Sequence, residues 1–171
     1  MSGGEDDGFA AFVAARGTSL LRVAYLACGD EREAEDLLQT ALERTYQNWD
    51  RVRYDNPEPY IRRIIVNGAI SRARRRAILR IIPMHTPPER SAQETDVDLR
   101  HMLMDTLRAL PPRQRAVIVL RYWEDLSETQ TAEVLGCSAG TVKSQASKAL
   151  AKLRLAIGEE SAEGVIRNVH A

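Results

Sequence analysis

The chain has 171 residues, of which 44% are hydrophobic and 28% charged, a composition typical of a soluble globular protein with one domain or two small ones. No apolar run reaches the roughly 18 residues that a membrane helix needs, and the acidic start is unlike a secretory signal. The sequence therefore predicts a cytoplasmic protein without membrane insertion. Two cysteines, Cys28 and Cys137, are fewer than small secreted folds use and are predicted to be reduced thiols.

The formal net charge is zero, but the charge is unevenly distributed along the chain. Residues 1–50 contain ten acidic and four basic side chains, whereas residues 51–88 contain two acidic side chains and nine arginines. Such asymmetry favours separate surfaces for separate partners. Random scatter of charge is the alternative, and it accounts less well for so undiluted a basic stretch.

Apolar residues at helical spacing predict three helices in the first half of the chain, over roughly residues 8–27, 31–49 and 57–80. The second helix also carries a polar stripe, which consists of Asp36, Gln39, Thr40 and Glu43. In the third helix one face can hold Tyr60, Arg63, Asn67 and Arg74, and the same helix carries Arg72, Arg75 and Arg76. Aromatic and arginine side chains on one face are typical of surfaces that bind single-stranded nucleic acid.

The helical pattern stops over residues 83–98, where prolines alternate with polar residues, as in a linker. We therefore expect an all-α fold of two small helical domains joined by a flexible linker. The first domain covers residues 1–82 and the second covers 99–157. Residues 158–171 are predicted to form a flexible tail.

The second domain is predicted to contain four helices, of which the last two form a helix-turn-helix. Ser127 to Gln130 forms a capping box, Gly136 lies in the turn, and Ser138 caps the last helix. Its outward face carries Thr141, Lys143, Ser144, Gln145, Ser147 and Lys148, and no acidic residue occurs over 134–158. These donors suit base edges and phosphates of duplex DNA. An ordinary helical hairpin with a solvated basic face is the alternative.

Three segments resemble bacterial RNA polymerase sigma factors of the extracytoplasmic-function (ECF) group, and the sigma-E-like actinobacterial members are the nearest. Leu110-Pro111-Pro112-Arg113-Gln114-Arg115, with residues 132–136 and 140–144, resembles the family's fourth conserved region. Ala34-Glu35-Asp36-Leu37-Leu38-Gln39 resembles the part of the second region that docks on the polymerase clamp. Tyr60-Ile61-Arg62-Arg63-Ile64-Ile65-Val66-Asn67 resembles the segment that separates the strands and reads the minus-10 element.

The resemblance implies a sigma factor that binds core RNA polymerase and directs promoter-specific initiation of transcription. It assigns polymerase binding to Asp36, Gln39, Thr40 and Glu43. It assigns the melted minus-10 strand to Tyr60, Arg63, Asn67, Arg72, Arg74 and Arg75, and the minus-35 duplex to the six outward residues of the last helix. The implied partners are core RNA polymerase, promoter DNA both as duplex and as melted single strand, and an anti-sigma factor. Thr40, where relatives usually have an acid, and Gln145, where many have arginine, depart from the family pattern.

The sequence contains no phosphate-binding glycine loop, no nucleophile elbow and no Cys/His pair at metal-ligand spacing. We therefore expect no catalytic residue, no cofactor, no metal site and no enzyme activity. Two alternatives remain. A stand-alone helix-turn-helix regulator would be a dimer that binds duplex DNA without polymerase. A protein-interaction module such as a sigma antagonist would leave the basic surfaces unexplained.

Overall fold

The computed structural model describes residues 3–79, 95–159 and 162, with the side chains of 8–79, 101–159 and 162. These residues form helices and connecting turns, without a strand among them, so the predicted all-α fold class is confirmed. The helices are α1 (Gly3–Cys28), α2 (Glu31–Gln47), α3 (Trp49–Val52), α4 (Pro57–Leu79), α5 (Thr95–Ala109), α6 (Pro112–Ile118), α7 (Glu128–Leu135) and α8 (Ala139–Ile157). A π-helical turn, Val119–Trp123, continues α6.

The first domain is built on the packing of α1, α2 and α4. Asp30 caps α2 by accepting a hydrogen bond from the backbone N–H of Glu33 at 2.8 Å. The apolar faces of these helices meet in a core that includes the fully buried Ile61 and Ile65. At Gly68, α4 approaches α2 so closely that a Cβ atom there would lie 2.8 Å from Cδ2 of Leu37. Glycine at this position therefore accommodates the Leu37 side chain between the two helices that carry the predicted site residues.

The predicted helix over residues 31–49 is in fact two helices. It ends at Gln47, and the backbone N–H of Asn48 donates to the carbonyl of Thr45 at 3.1 Å. A new helix begins at Trp49, whose buried ring contacts Phe9 and Phe12 at centroid distances of 5.2 and 5.7 Å. The break lets the indole leave the line of α2 and pack against α1.

The second domain confirms the predicted helix-turn-helix. Ser127 and Gln130 form the reciprocal capping box, Gly136 has a φ of 63°, and Ser138 accepts a hydrogen bond from the backbone N–H of Thr141 at 3.1 Å. Two expectations differ from the structure. The sequence pattern after Pro112 predicts one helix to about Asp125, but the structure changes to a π-helical turn after Ile118. Helix α5 begins at Thr95, inside the predicted linker.

Most of the predicted linker and of the predicted tail lie outside the described residues. In the tail, Ala162 is helical and buried, and its backbone N–H donates to the carbonyl of Gly158 at 3.0 Å. Ala162 is therefore packed against the fold after the end of α8.

The two domains contact each other, which the sequence did not predict. Helices α1 and α4 of the first domain pack against α5, α6 and α7 of the second. Hydrogen bonds and an ion pair join side chains of one domain to side chains or backbone carbonyls of the other. The domains are therefore in a closed arrangement.

One stretch of α1, Gly8–Cys28, is long and apolar enough to cross a membrane by length and composition alone, with a mean hydropathy of 1.2. The sequence pattern alone did not indicate such a stretch. This stretch includes Leu20, Val23 and Ala24, which are buried against the other helices of the first domain, as in the core helix of a helical bundle. Absence of membrane insertion stays a prediction.

Candidate nucleic-acid interface

A basic cavity of about 640 Å³ lies between α2, α3 and α4. We call it the basic cavity. Its size is within the range of pockets that hold small ligands. Its lining residues include no acidic side chain. The lining consists of Arg44, Arg51, Arg63, Arg72 and Arg75, with Leu37, Thr40, Tyr60, Ile64, Asn67, Gly68 and Ser71. A cleft lined by one sign of charge concentrates ions of the opposite sign, so this cavity is suited to an anionic ligand.

Most of the cavity's arginines lack an internal counterion. Arg72 is 3.9 Å from the Asp36 carboxylate, a long contact between partly exposed groups. Among the described residues, no carboxylate pairs within 4 Å with the other four, Arg44, Arg51, Arg63 and Arg75. Their charge is available to a partner.

The structure brings five of the six residues predicted for the minus-10 strand to this cavity, namely Tyr60, Arg63, Asn67, Arg72 and Arg75. Arg74 is exposed on the same helix and does not line the cavity. Sequence reasoning missed Arg44 and Arg51. Arg44 lies one helical turn after Thr40, but the polar stripe of α2 was assigned to a single partner, and Arg51 belongs to the short helix that was not predicted.

An apolar groove of about 610 Å³ runs between α1 and α2. Its lining residues are Phe9, Leu21, Leu38, Leu42 and Tyr46, with Glu35, Gln39 and Glu43. We call it the α1/α2 groove. A contiguous apolar depression rimmed by polar groups is typical of a protein-binding surface. The sequence offered a signal for it, because Leu38 and Leu42 make the apolar stripe of α2 wider than its buried part.

The predicted polymerase-binding stripe of α2 is continuous, but its two edges face different features. Gln39 and Glu43 line the α1/α2 groove and are hydrogen-bonded at 3.2 Å. The side chain of Asp36 is 70% exposed beside them. Thr40 donates a hydrogen bond to the backbone carbonyl of Asp36 at 2.8 Å and lines the basic cavity. The stripe therefore separates the apolar groove from the basic cavity.

The outward face of α8 carries the residues predicted for the minus-35 duplex. Lys143, Ser144, Ser147 and Lys148 are exposed, while Thr141 and Gln145 are half-buried. At about 100° per residue, Lys143 and Gln145 lie roughly 160° apart around the helix. They therefore flank the face from opposite sides, and Ser144, Ser147 and Lys148 lie nearer its centre.

The sequence matches two families in chain order, Sigma-70 region 2 over residues 12–78 and Sigma-70 region 4 over residues 100–153. It is 42% identical over 157 residues to the RNA polymerase sigma-E factor of Streptomyces avermitilis, and the matched segment covers 90% of this chain and 87% of that protein. The chain belongs to the sigma-70 family. The predicted resemblance to ECF sigma factors, including sigma-E-like actinobacterial members, is confirmed.

Two further comparisons extend this result. The ECF RNA polymerase sigma factor SigM of Mycobacterium tuberculosis is 33% identical over 144 residues, or 81% of this chain and 71% of that protein. The fold is similar to that of the sigma factor RpoE from Bartonella quintana, solved in complex with the anti-sigma factor NepR. The TM-score is 0.71 at 24% identity, over 87% of this chain and 96% of the other.

As a sigma factor, the protein acts with core RNA polymerase and promoter DNA in transcription initiation. The region 2 match contains the basic cavity, the α2 stripe and most of the α1/α2 groove, and the region 4 match contains most of α8. The stand-alone regulator considered above is set aside, since a region 2 match across α1, α2 and α4 is not expected of it. The roles of individual residues and the domain boundaries stay predictions.

Proposed function

We propose that this sigma factor binds the polymerase clamp through the α2 stripe and the α1/α2 groove, holds the melted minus-10 strand in the basic cavity, and reads the minus-35 duplex with α8. The basic cavity carries this proposal, because it places arginines around an aromatic ring and an amide without any acidic lining residue. Arginines neutralise phosphates, the ring of Tyr60 can stack on an unpaired base, and Asn67 can hydrogen-bond the edge of an extruded base.

The polymerase surface is supported by its position and composition. Protein interfaces commonly have an apolar centre and a polar rim, and the α1/α2 groove with Glu35, Gln39 and Glu43 has this arrangement. Because the stripe also borders the basic cavity, a polymerase bound there would lie next to the melted strand. The proposed surfaces are thus adjacent on one domain, as strand separation next to the polymerase requires.

The same proposal makes the protein a non-enzymatic initiation factor that acts in the cytoplasm, where the polymerase performs the chemistry. No group of three or more His, Cys, Asp or Glu side chains in the described ranges could hold a metal ion. We also propose an anti-sigma factor as a partner. The support is the similarity of fold to RpoE, which was solved with NepR.

A reconstituted holoenzyme tests the basic cavity. The protein is mixed with core polymerase, and transcripts are measured from a promoter library. In the Arg44→Ala/Arg51→Ala variant, promoter opening should fall on all sequences alike, because phosphate contacts carry no sequence information. The slope of log affinity for melted strand against log salt should fall by about 1.4, or about 0.7 per lost contact. Arg32→Ala, which removes an exposed charge elsewhere on α2, is the control. Unchanged opening and an unchanged salt slope would contradict the proposal.

A second experiment tests the polymerase surface. Asp36→Arg/Gln39→Ala should reduce co-purification with core polymerase about tenfold or more while circular dichroism stays unchanged, since both positions are exposed and surface changes rarely alter stability by more than about 0.5 kcal/mol. Glu133→Arg makes the same charge reversal at an exposed position of α7 and is the control. Equal co-purification of both variants would mean that the stripe does not bind polymerase.

A further inference from the structure

The charges around the basic cavity differ between its two ends. Arg76 of α4 is paired with Glu33 of α2. One turn earlier on α4, Arg72 lies 3.9 Å from Asp36, which comes one turn later on α2. The two helices therefore run antiparallel, and the N-terminal half of α4 faces the C-terminal half of α2. We call this side of the cavity the three-arginine end, because three arginines line it without a carboxylate within 4 Å among the described residues, namely Arg44, Arg51 and Arg63.

An aromatic ring and an amide border the cavity along α4. Tyr60, Ile64 and Asn67 all line it, because residues four and seven positions apart lie on the same face of a helix. At a rise of about 1.5 Å per residue, Tyr60 and Asn67 are roughly 10 Å apart along the helix axis, with Ile64 between them. This spacing leaves room for one planar base over an apolar floor, where the base can stack on the ring of Tyr60.

The amide of Asn67 has an orientation that its hydrogen bonds fix. Its Nδ2 donates to the backbone carbonyls of Arg63 and Val134, both at 2.9 Å. Both N–H groups of the amide are therefore used, whereas Oδ1 accepts no hydrogen bond from the described residues. A base that meets Oδ1 must present a donor. The exocyclic amino group of cytosine is such a donor, while the oxygen at the same position of thymine or uracil is an acceptor.

We propose that the basic cavity also binds a free nucleoside triphosphate whose base has an exocyclic amino group, in competition with the melted strand. The triphosphate lies at the three-arginine end, where guanidinium groups bind phosphate oxygens through paired N–H donors. The base stacks on Tyr60 and donates to Oδ1 of Asn67. The competition rests on the proposed function, which places the strand in the same cavity, whereas the choice of ligand rests on the cavity itself.

The charge distribution favours a free nucleotide as a ligand in its own right. A strand carries one phosphate per nucleotide, whereas a triphosphate carries three adjacent phosphates, and three uncompensated guanidinium groups at one end match the second arrangement. The volume of about 640 Å³ is also that of a small-molecule site. Because a ligand that binds one state withdraws the protein from any competing state, the nucleotide concentration sets how much free sigma factor can accept a strand.

Isothermal titration calorimetry of the full chain, in the presence of Mg²⁺, tests the site with four probes. CTP and UTP differ at the position that meets Oδ1, cytidine carries the base without phosphates, and tripolyphosphate carries the phosphates without the base. The CTP titration is repeated with an excess of a single strand from a promoter that the wild-type holoenzyme selects. Arg44→Ala/Arg51→Ala and Asn67→Ala are compared with Arg32→Ala, which removes an exposed charge elsewhere on α2, and circular dichroism confirms that each variant is folded.

CTP should bind about tenfold more tightly than UTP, because UTP loses one hydrogen bond and leaves Oδ1 facing another acceptor. Cytidine and tripolyphosphate should each bind at least about tenfold more weakly than CTP, since each lacks one half of the contacts. Arg44→Ala/Arg51→Ala should weaken CTP binding about tenfold or more, whereas Arg32→Ala should behave as wild type. Asn67→Ala should bind CTP and UTP equally, and the excess strand should reduce the apparent affinity of the wild type for CTP.

No detectable CTP binding, or equal affinity of the wild type for CTP and UTP, would overturn the proposal. So would tripolyphosphate that binds as tightly as CTP, or an affinity for CTP that the excess strand leaves unchanged. Failure of the proposed function gives a different result. In that case Arg44→Ala/Arg51→Ala loses CTP binding, but holoenzyme that carries this variant opens promoters as well as wild type.

Discussion

Replacing Arg115 with alanine should lower the free energy of unfolding by about 3 kcal/mol. The buried guanidinium donates to the carbonyls of Cys28 at 3.1 Å, Leu110 at 3.3 Å and Arg108 at 3.4 Å. A hydrogen bond to a charged group contributes about 1.5–3 kcal/mol, but two of these bonds are long and the burial of the charge opposes all three. That opposition is visible in the pKa of Arg115, which burial lowers from its ordinary value. The estimate is therefore well below the sum of three full bonds.

Urea and thermal denaturation of the full chain measure this effect. A loss of about 3 kcal/mol should lower the melting temperature by roughly 6–12 °C for a protein of this size. Arg115→Lys keeps the charge but lacks the planar set of donors, so it should lose an intermediate amount. Arg113→Ala, two residues away and exposed, should stay within about 0.5 kcal/mol. A loss below about 1 kcal/mol for Arg115→Ala would refute the reasoning that these carbonyls depend on this side chain.

Three other outcomes are expected. Lys143→Ala should lower promoter affinity by about 1–3 kcal/mol and relax minus-35 specificity. Lys152→Ala, farther along α8, should weaken binding to all sequences alike or to none. Equal losses of affinity for Lys143→Ala over a panel of promoter mutants would show that Lys143 contacts phosphate. The free protein should bind promoter duplex weakly in an anisotropy titration at physiological salt, because its net charge is zero; tight duplex binding by a dimer would contradict the sigma-factor mechanism. Burial raises the pKa of the Cys28 thiol, so iodoacetamide should modify Cys28 more slowly than the half-buried Cys137. Equal alkylation rates for both thiols would contradict this reactivity difference. The contribution of the Cys28 thiol to the free energy of unfolding should be present below its unfolded-state pKa and be lost as the pH rises through its folded-state pKa.

The features that the sequence predicted well depend on neighbouring residues. The capping box at Ser127, the positive φ at Gly136 and the cap at Ser138 each involve contacts within a few residues, so spacing alone is informative. The break in the predicted helix over 31–49 was missed for the opposite reason. It depends on the packing of Trp49 against Phe9, forty residues away in the chain.

The closed arrangement could not be predicted from composition. Arg62 and Arg115 appear in the sequence as two members of a basic set, yet both are buried. Their partners are Glu124 and the carbonyl of Cys28, which are 62 and 87 residues away. An arginine is buried only where such partners are supplied, and no local pattern reveals a carbonyl in another domain. For the same reason the sequence placed Asn67 in a nucleic-acid site but did not reveal its contact with α7.

The arginine-rich segment over residues 51–88 therefore divides between two roles. Arg62 is paired with Glu124, which follows the π-helical turn, and Arg76 is paired with Glu33 of α2, so part of the segment's positive charge is neutralised within the fold. On α2, Glu33 is the partner of Arg76, and Asp36 lies 3.9 Å from Arg72. At the basic cavity, Arg51, Arg63 and Arg75 have no carboxylate partner among the described residues, so their positive charge is not neutralised within the fold. A chain with zero net charge can thus present a strongly basic site whose electrostatic attraction acts only over short distances. We expect such a site to attract DNA weakly from a distance and to bind the strand well once polymerase has brought it to the cavity.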